Sequence, residues 1–482
     1  MKLIKYLSIL SILLSVLIKS NAQNRSYLTD SLYHYLELAA KNNPTVLQKY
    51  NEYQAALQKV AQAGSLPDPE LTFGVFIQPM ELVMGNQIAD IKLMQMFPWF
   101  GTLKAAKDEM SLMAKAKYEL FRDAKLQVFY DVQSTWYDIF KLNQELRISE
   151  NNVQILKAIE RLALVRFSTS TSGGGGASSQ TMGSGNNMQS QGATPVSSGM
   201  QGMSAGQTTT SGSVSTTSPG QSRQMETSSG GYGLADLYRI QIEIADLENN
   251  IALLKNEQNV IFARFNSYLN RPIQFPVTVP DTLTPDTLSI PILAVLDSIL
   301  ERNPMLGMLK YEQQSLDARK KMVTLMGYPM LGLGVDYSLI NKSEMSASPM
   351  NGNDMIMPMV SATIPIYRKK YRAMRTESEL LKTSAMNSYS ATANSLQIEY
   401  YQAFQLYQDA FRRIKLYSDQ YMLAKKSLDI KLAGFSTGSS ELTDILLIRQ
   451  QVLDYELRQV EAVSDYNTSI AWLNKLMASS QF

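Results

Sequence analysis

Four short stretches of the chain alternate between apolar and polar side chains, which is the pattern of β-strands with two unlike faces. The predicted strands span about 70–79, 87–97, 329–340 and 356–365. Such strands suit a barrel wall between lipid and water, and they also suit a soluble sheet packed on one side. Because even the smallest barrels with a filled interior use about eight strands, four strands form an open sheet or close by oligomerisation. In the third strand, the apolar and polar faces are Leu331, Leu333, Val335, Tyr337 and Leu339 against Gly332, Gly334, Asp336 and Ser338.

Two much longer stretches repeat their apolar positions every three or four residues and contain no proline, which predicts long helices over 102–167 and 366–433. At a rise of 1.5 Å per residue, each helix reaches about 100 Å, whereas helices of globular domains average about 11–12 residues. Lys, Glu, Asp, Gln, Asn, Ser and Thr fill the other positions, as in coiled coils. Taken alone, this pattern would equally suit a structural coiled coil.

The predicted elements occur twice in the same order, which indicates an internal duplication. Asn43-Pro44 and Asn303-Pro304 stand at equivalent places, and 25 positions after each of these prolines comes another, Pro69 or Pro329. Each copy contains two short helices, two strands, a long helix and a last helix. The chain is divided into a first repeat over 23–271, a Pro-rich linker over 272–291 and a second repeat over 292–482, with last helices over 233–270 and 441–477.

Residues 1–22 have the layout of a secretory signal peptide. Lys2 and Lys5 precede an apolar run, and small residues end at Ala22. About a dozen apolar residues are too few for a transmembrane anchor, which needs about 20. Because no cysteine follows, no lipid anchor is expected.

Composition excludes several kinds of chemistry. The chain has no cysteine and one histidine, His34, so it offers no thiol nucleophile, disulfide framework or Cys/His zinc site. A net charge of +2 gives no argument for nucleic-acid binding. Since no nucleophile–base pair or phosphate loop is present either, we expect neither an enzyme nor a cofactor.

The duplicated order of elements behind a signal peptide resembles the outer-membrane efflux protein (TolC) family, over essentially the whole mature chain. The most specific motif follows the second long helix, where Gly434-Phe435-Ser436-Thr437-Gly438 precedes Leu442-Thr443-Asp444-Ile445-Leu446. The first copy has Arg166-Phe167-Ser168-Thr169 and, after an interruption, Gly233-Leu234-Ala235-Asp236. Phe97-Pro98-Trp99-Phe100-Gly101 resembles the barrel-to-helix junction of the heavy-metal-efflux branch.

The resemblance implies a fold that is mainly α with a small membrane β-barrel: a homotrimer whose twelve-stranded barrel in outer-membrane lipid continues as an α-helical periplasmic tunnel. It implies the exit duct of a tripartite efflux pump for metal ions or small toxic compounds, working with a periplasmic adaptor (membrane fusion) protein and an inner-membrane pump of the RND or ABC class. The turns at the ends of the long helices are then expected to contact the adaptor. The expected contact residues are Phe435, Thr437, Gly438, Leu442, Phe167, Gly233 and Leu234, and those of the barrel–helix junction are Pro98, Trp99, Gly101 and Pro365.

Asp444, and after it Asp236, are the candidate acids of the periplasmic entrance or gate. In a threefold trimer, an inward carboxylate becomes a ring of three that attracts cations and can pair with basic groups. The alternative is an acid near a helix N-terminus that complements the helix dipole, whatever the function.

The segment 168–231 consists mainly of Ser, Gly and Thr and contains no Leu, Ile or aromatic residue, so we predict disorder. Thioethers are soft ligands suited to Cu(I) and Ag(I). The methionines of the segment 168–231 could therefore capture such ions, or they could be hydrophobic fillers in a Met-rich chain. They are Met182, Met188, Met200, Met203 and Met225. A second group lies in the hairpin between the third and fourth strands, which the resemblance places at the extracellular end: Met345, Met350, Met355, Met357 and Met359.

Two rival functions remain open. The exit channel of a type I protein secretion system uses the same family fold. A structural coiled-coil protein of the cell envelope, without a channel, would account for the long helices but not for the alternating strands.

Overall fold

The computed structural model describes residues 32–172, 234–288, 291–345, 349–437 and 439–479. The signal peptide predicted over 1–22, and nearly all of the insertion predicted over 168–231, lie outside these ranges. The described chain is mostly helical with one four-stranded antiparallel sheet, which confirms the predicted mainly-α fold class with a small sheet. The elements are α1 (Leu32–Asn42), α2 (Pro44–Ala63), β1 (Glu70–Leu82), β2 (Gly85–Phe97), α3 (Thr102–Ser172), α4 (Leu234–Tyr268), α5 (Ile292–Arg302), α6 (Pro304–Met326), β3 (Met330–Asn341), β4 (Met355–Thr363), α7 (Arg368–Thr437) and α8 (Leu442–Leu476).

The two longest helices dominate the molecule. Helix α3 has 71 residues and α7 has 70, so each is about 105 Å long. Helix α3 continues past the predicted end at 167, because the run of glycines begins only after Ser172. Helix α7 likewise continues through Gly434, which does not end it. Among the helices that the structure describes, none is long and apolar enough to cross a bilayer.

The Asn-Pro pairs have the same structural role in both repeats. Asn43 caps α2, since its Oδ1 accepts hydrogen bonds from the backbone N–H groups of Thr45 (2.9 Å) and Val46 (3.3 Å). The Asn43 amide also donates to the carbonyl of Tyr268, at the end of α4. In the second repeat, Asn303 caps α6 and its amide donates to the carbonyl of Leu476, at the end of α8. The Pro after each Asn occupies the first helical turn, where no N–H is needed. Each pair therefore joins the start of its repeat to the end of that repeat.

Four apolar clusters are buried among the described helices, and three of them are large. One packs α1 and the end of α4 against the middle of α3, and a second packs α5 and the end of α8 against α7. The third lies at the far end of the long helices, where α3, α4, α7 and α8 meet. We call this third region the turn end.

The sheet has the strand order β1-β2-β3-β4, with β1 and β4 at its edges. The register places Leu93 opposite Val335 and Lys92 opposite Asp336, so each face keeps one polarity across the strands. The apolar face is the exposed one: Phe73 is 65% and Val360 77% exposed. On the polar face, Asp336 is only 8% exposed. This is the reverse of a soluble sheet that buries its apolar face.

Candidate functional site

The turn end is held by an apolar core beneath the turn between α7 and α8. Phe435 and Leu442 are each 1% exposed and pack with Ile445 and Leu446 against residues of α3 and α4. The sequence predicted Phe435 and Leu442 as adaptor contacts. Their side chains are buried within the protomer and form part of the core beneath the turn, and their contact with an adaptor stays a prediction.

Asp444 lies in the first turn of α8, where a negative charge complements the helix dipole. Its carboxylate accepts a hydrogen bond of 2.7 Å from Lys431 Nζ, which extends from α7. The Lys431 and Asp444 side chains are 39% and 48% exposed. Sequence reasoning missed Lys431, because nothing in the motif shows which face of α7 packs against α8.

A second charged group of the turn end is buried. Arg449 is 9% and Asn152 2% exposed, and Arg449 Nε donates a hydrogen bond of 2.6 Å to Asn152 Oδ1, from α8 to α3. Burial lowers the pKa of the Arg449 guanidinium, while the charge of Glu456 acts in the opposite direction. Burial raises the pKa of Glu456, against the charges of Arg449 and Lys425.

Sequence reasoning overlooked Arg449 and Glu456, although a signal was present. On α8 the spacing of three and four residues continues from Leu442 through Ile445, Arg449 and Val452 to Glu456. Charged side chains therefore occupy two positions of an apolar heptad stripe, and such positions specify packing rather than add stability.

The other residues predicted for this end have only their backbone described or lie outside the described ranges. Asp236 and Leu234 belong to the first turn of α4, Phe167 to α3, and Thr437 is the last residue of α7. Outside the described residues lie Gly233, Gly438, Met182, Met188, Met200, Met203 and Met225.

The predicted junction between sheet and helices forms a compact corner. Gly101 has φ of +86°, a conformation that glycine adopts without strain, and its carbonyl accepts the first hydrogen bond of α3 from Ala105 N. The ring of Trp99 stacks on Tyr328, with centroids 5.2 Å apart and planes at 19°. Since Tyr328 lies just before β3, the corner joins the β2–α3 connection to the α6–β3 connection. Pro98 and Pro365 lie in the corresponding segments after β2 and β4, where a missing N–H breaks no ladder.

No protein-family model matches the chain, and the search of curated proteins also finds no match. Solved structures match it over nearly its whole length. The outer membrane protein VceC from Vibrio cholerae has a TM-score of 0.64 at 13% identity, covering 92% of this chain and 95% of VceC. The CmeC outer membrane channel of Campylobacter jejuni has a TM-score of 0.66 at 13% identity, with coverage of 93% and 85%. The open state of the Neisseria gonorrhoeae MtrE outer membrane channel has a TM-score of 0.65 at 12% identity, covering 93% of this chain and 88% of MtrE. The chain therefore has the fold of these outer membrane proteins.

Proposed function

We propose that the protein is an outer-membrane exit duct of an efflux system and a member of the outer-membrane efflux protein (TolC) family. The observation that carries this proposal is the polarity of the sheet, whose apolar face is exposed and whose polar face is buried along the central strand β3. A soluble sheet would bury the apolar face, whereas a barrel in lipid turns it outward and keeps polar residues inside. The same polarity disfavours the structural coiled-coil alternative, which has no use for an exposed apolar sheet.

The two open edges of the sheet support a homotrimer. Strands β1 and β4 are at the two edges, and an open edge in lipid would leave backbone groups without partners. Four strands are too few to close, since about eight are needed. Three protomers would supply twelve, joining β1 of one copy to β4 of the next.

The long helices support the tunnel. Because α3 and α7 extend about 105 Å from the sheet, the turn end would open deep in the periplasm. There we expect the adaptor and, through it, an inner-membrane pump of the RND or ABC class. Asp444 and Asp236 are the acids that we propose for the rim of this mouth. The cargo we propose is metal ions or small toxic compounds. The alternative is the exit channel of a type I secretion system, whose cargo would be a protein.

The test uses the full chain, exported by its own signal peptide and purified in detergent. We expect an unboiled sample to migrate as a trimer on a denaturing gel and a boiled sample as a monomer. In planar bilayers, the trimer should give discrete conductance steps. A monomeric rod that inserts into no bilayer would overturn the proposal.

We also propose that the insertion over 168–231 captures Cu(I) or Ag(I) at the mouth, through its five methionines. The support is chemical, since a segment without Leu, Ile or aromatic residues has no core for methionine to fill. Replacing all five methionines by serine in the full chain should lower the amount of Cu(I) that the purified protein binds. Equal Cu(I) binding by this variant and the wild type would show that these methionines are fillers.

A further inference from the structure

In three of the four strands, the methionines are confined to one face of the sheet. All of those in β2, β3 and β4 lie on the polar face, among glycine, serine, threonine, aspartate and lysine. Hydrophobic fillers would be expected on the apolar face as well, where Leu, Ile, Val and Phe collect. The six methionines of these three strands are Met94, Met96, Met330, Met355, Met357 and Met359.

Two of these side chains place their sulfurs together. The hydroxyl of Ser361 lies 3.6 Å from Met94 Sδ and 3.8 Å from Met96 Sδ, within hydrogen-bonding reach of both. The position that a Cβ would take on Gly332 is 3.2 Å from Met94 Sδ and 2.6 Å from Met96 Sδ. The two sulfurs are therefore at most 5.8 Å apart, which is the sum of those two distances. Glycine at 332 leaves the space that both thioethers occupy.

The spacing fits a metal held between thioethers. Metal–sulfur bonds are about 2.3 Å long in zinc sites, so a two-coordinate ion with bonds of that length spans about 4.6 Å between sulfurs. Small rotations of the flexible Met side chains can reach this separation. Met359 can supply a third sulfur, because the register places it on the opposite side of Gly334 from Met94, two strand spacings of about 4.8 Å away.

A carboxylate beside the sulfurs can balance the charge of a bound cation. Asp336 belongs to the next row of the polar face, and its Oδ2 lies 3.5 Å from Lys92 Nζ. Its buried Oδ1 has no hydrogen-bond partner among the described residues. Over the same part of the chain, no three His, Cys, Asp or Glu side chains converge to hold a metal, so a hard-ligand site is not offered.

We propose that the polar face of the sheet binds a soft monovalent cation, Cu(I) or Ag(I), through Met94 and Met96, with Met359 as the third ligand. The proposal rests on the proposed function in one respect, namely that this face lines the duct. It deepens that function by naming the cargo class, since a cation would meet three such thioether sites around the trimeric barrel. Thioethers bind soft cations without a net negative charge, so the ions can also leave.

The test titrates the purified trimer with Cu(I) against a chromophoric Cu(I) chelator. The double variant M94L/M96L keeps side-chain volume and apolarity but removes both sulfurs. We expect it to lose one Cu(I) equivalent per protomer, or at least tenfold in affinity for that equivalent. The matched control is M386L/M422L on α7, which removes two methionines that are each 50% exposed. Because both variants retain the insertion, a loss confined to M94L/M96L belongs to the sheet.

Equal Cu(I) binding by M94L/M96L and the control would overturn the inference, as would an equal loss of Zn(II) binding, which thioethers do not favour. Trimer migration on unboiled gels shows that each variant is folded. Conductance in planar bilayers separates the two proposals. If the protein conducts but M94L/M96L binds as much Cu(I) as the wild type, only the thioether site is disproved. If the wild type binds Cu(I) at this site but does not conduct, only the duct is disproved.

Discussion

Lys431 Nζ lies 2.7 Å from the Asp444 carboxylate, and this ion pair ties the end of α7 to the first turn of α8. Both side chains are more than a third exposed, at 39% and 48%, so water screens the pair. Exposed pairs of this kind contribute about 0–1 kcal/mol. We therefore expect the pair to affect the distribution of charge at the proposed mouth more than the stability of the protein.

Lys431→Gln should leave Asp444 without its cation. We expect the free energy of unfolding to change by less than about 1 kcal/mol. The proposed duct should become more selective for cations, because each Asp444 carboxylate of the proposed trimer is uncovered. Asp444→Asn should reduce cation selectivity, and the double variant should behave like Asp444→Asn. Reversal potentials in planar bilayers under a salt gradient measure this. If Asp444→Asn leaves selectivity unchanged, Asp444 serves only as an acid at a helix N-terminus.

The buried contact between Arg449 and Asn152 should matter for stability. Asn152→Ala removes the acceptor of the 2.6 Å hydrogen bond and leaves a buried guanidinium with one partner fewer. We expect a loss of about 1–3 kcal/mol, read as a lower thermal midpoint. Asn151→Ala is the matched control, because that neighbouring side chain is exposed.

Removing both partners of this contact should cost less than removing one. The variant N152L/R449M takes the buried charge and its acceptor away together, so we expect it to unfold at a higher temperature than N152L alone. The opposite order would mean that Arg449 has further stabilising contacts that this pair does not account for.

Glu456 should make stability depend on pH. Burial raises its pKa above the ordinary value of 4.5, so the folded state binds the proton more tightly than the unfolded state does. The stability linked to this proton is fully present below pH 4.5 and is lost as pH rises through the raised pKa. Glu456→Gln should therefore match the wild type near pH 4 and unfold at a higher temperature than the wild type at pH 7. Thermal midpoints across this range measure the difference, with the exposed Glu441→Gln as control. A constant gap between Glu456→Gln and wild type would contradict the raised pKa.

Periodicity carried most of the fold. Alternation along β3 predicts which residues share a face, because successive strand side chains point to opposite sides. Apolar residues spaced three and four apart predict α3 and α7, because such positions share one face of a helix. What periodicity does not specify is which helices become neighbours. The pairing of Asn152 with Arg449 joins residues 297 positions apart, and it depends on α8 packing against α3. Alternation predicts that the sheet has an apolar and a polar face, but which face is exposed required the structure.

The corner at Gly101 should be intolerant of a side chain. Its φ of +86° is strained for any other residue, so we expect Gly101→Ala to lower stability by about 1 kcal/mol or more. Gly64→Ala is the control, since Gly64 caps α2 with φ of −86°, and the added Cβ would meet the flexible Lys107 side chain at 3.3 Å and the Val60 carbonyl oxygen at an ordinary 3.5 Å. Thermal midpoints should fall for Gly101→Ala and hold for Gly64→Ala. Equal effects would show that the corner relaxes.

The exposed apolar face gives the sharpest test of membrane placement. Val335 lies in the middle of β3 on that face and is 47% exposed. In lipid, an arginine there costs about 2–4 kcal/mol at the bilayer midplane, so Val335→Arg should reduce both the amount of protein in the outer-membrane fraction and the trimer on unboiled gels. Val260→Arg changes the same residue type on α4, where the side chain is 60% exposed. In water an exposed arginine is nearly neutral, so this control should assemble normally. If both variants assemble equally well, the apolar face does not meet lipid, and the duct proposal loses the observation that carries it.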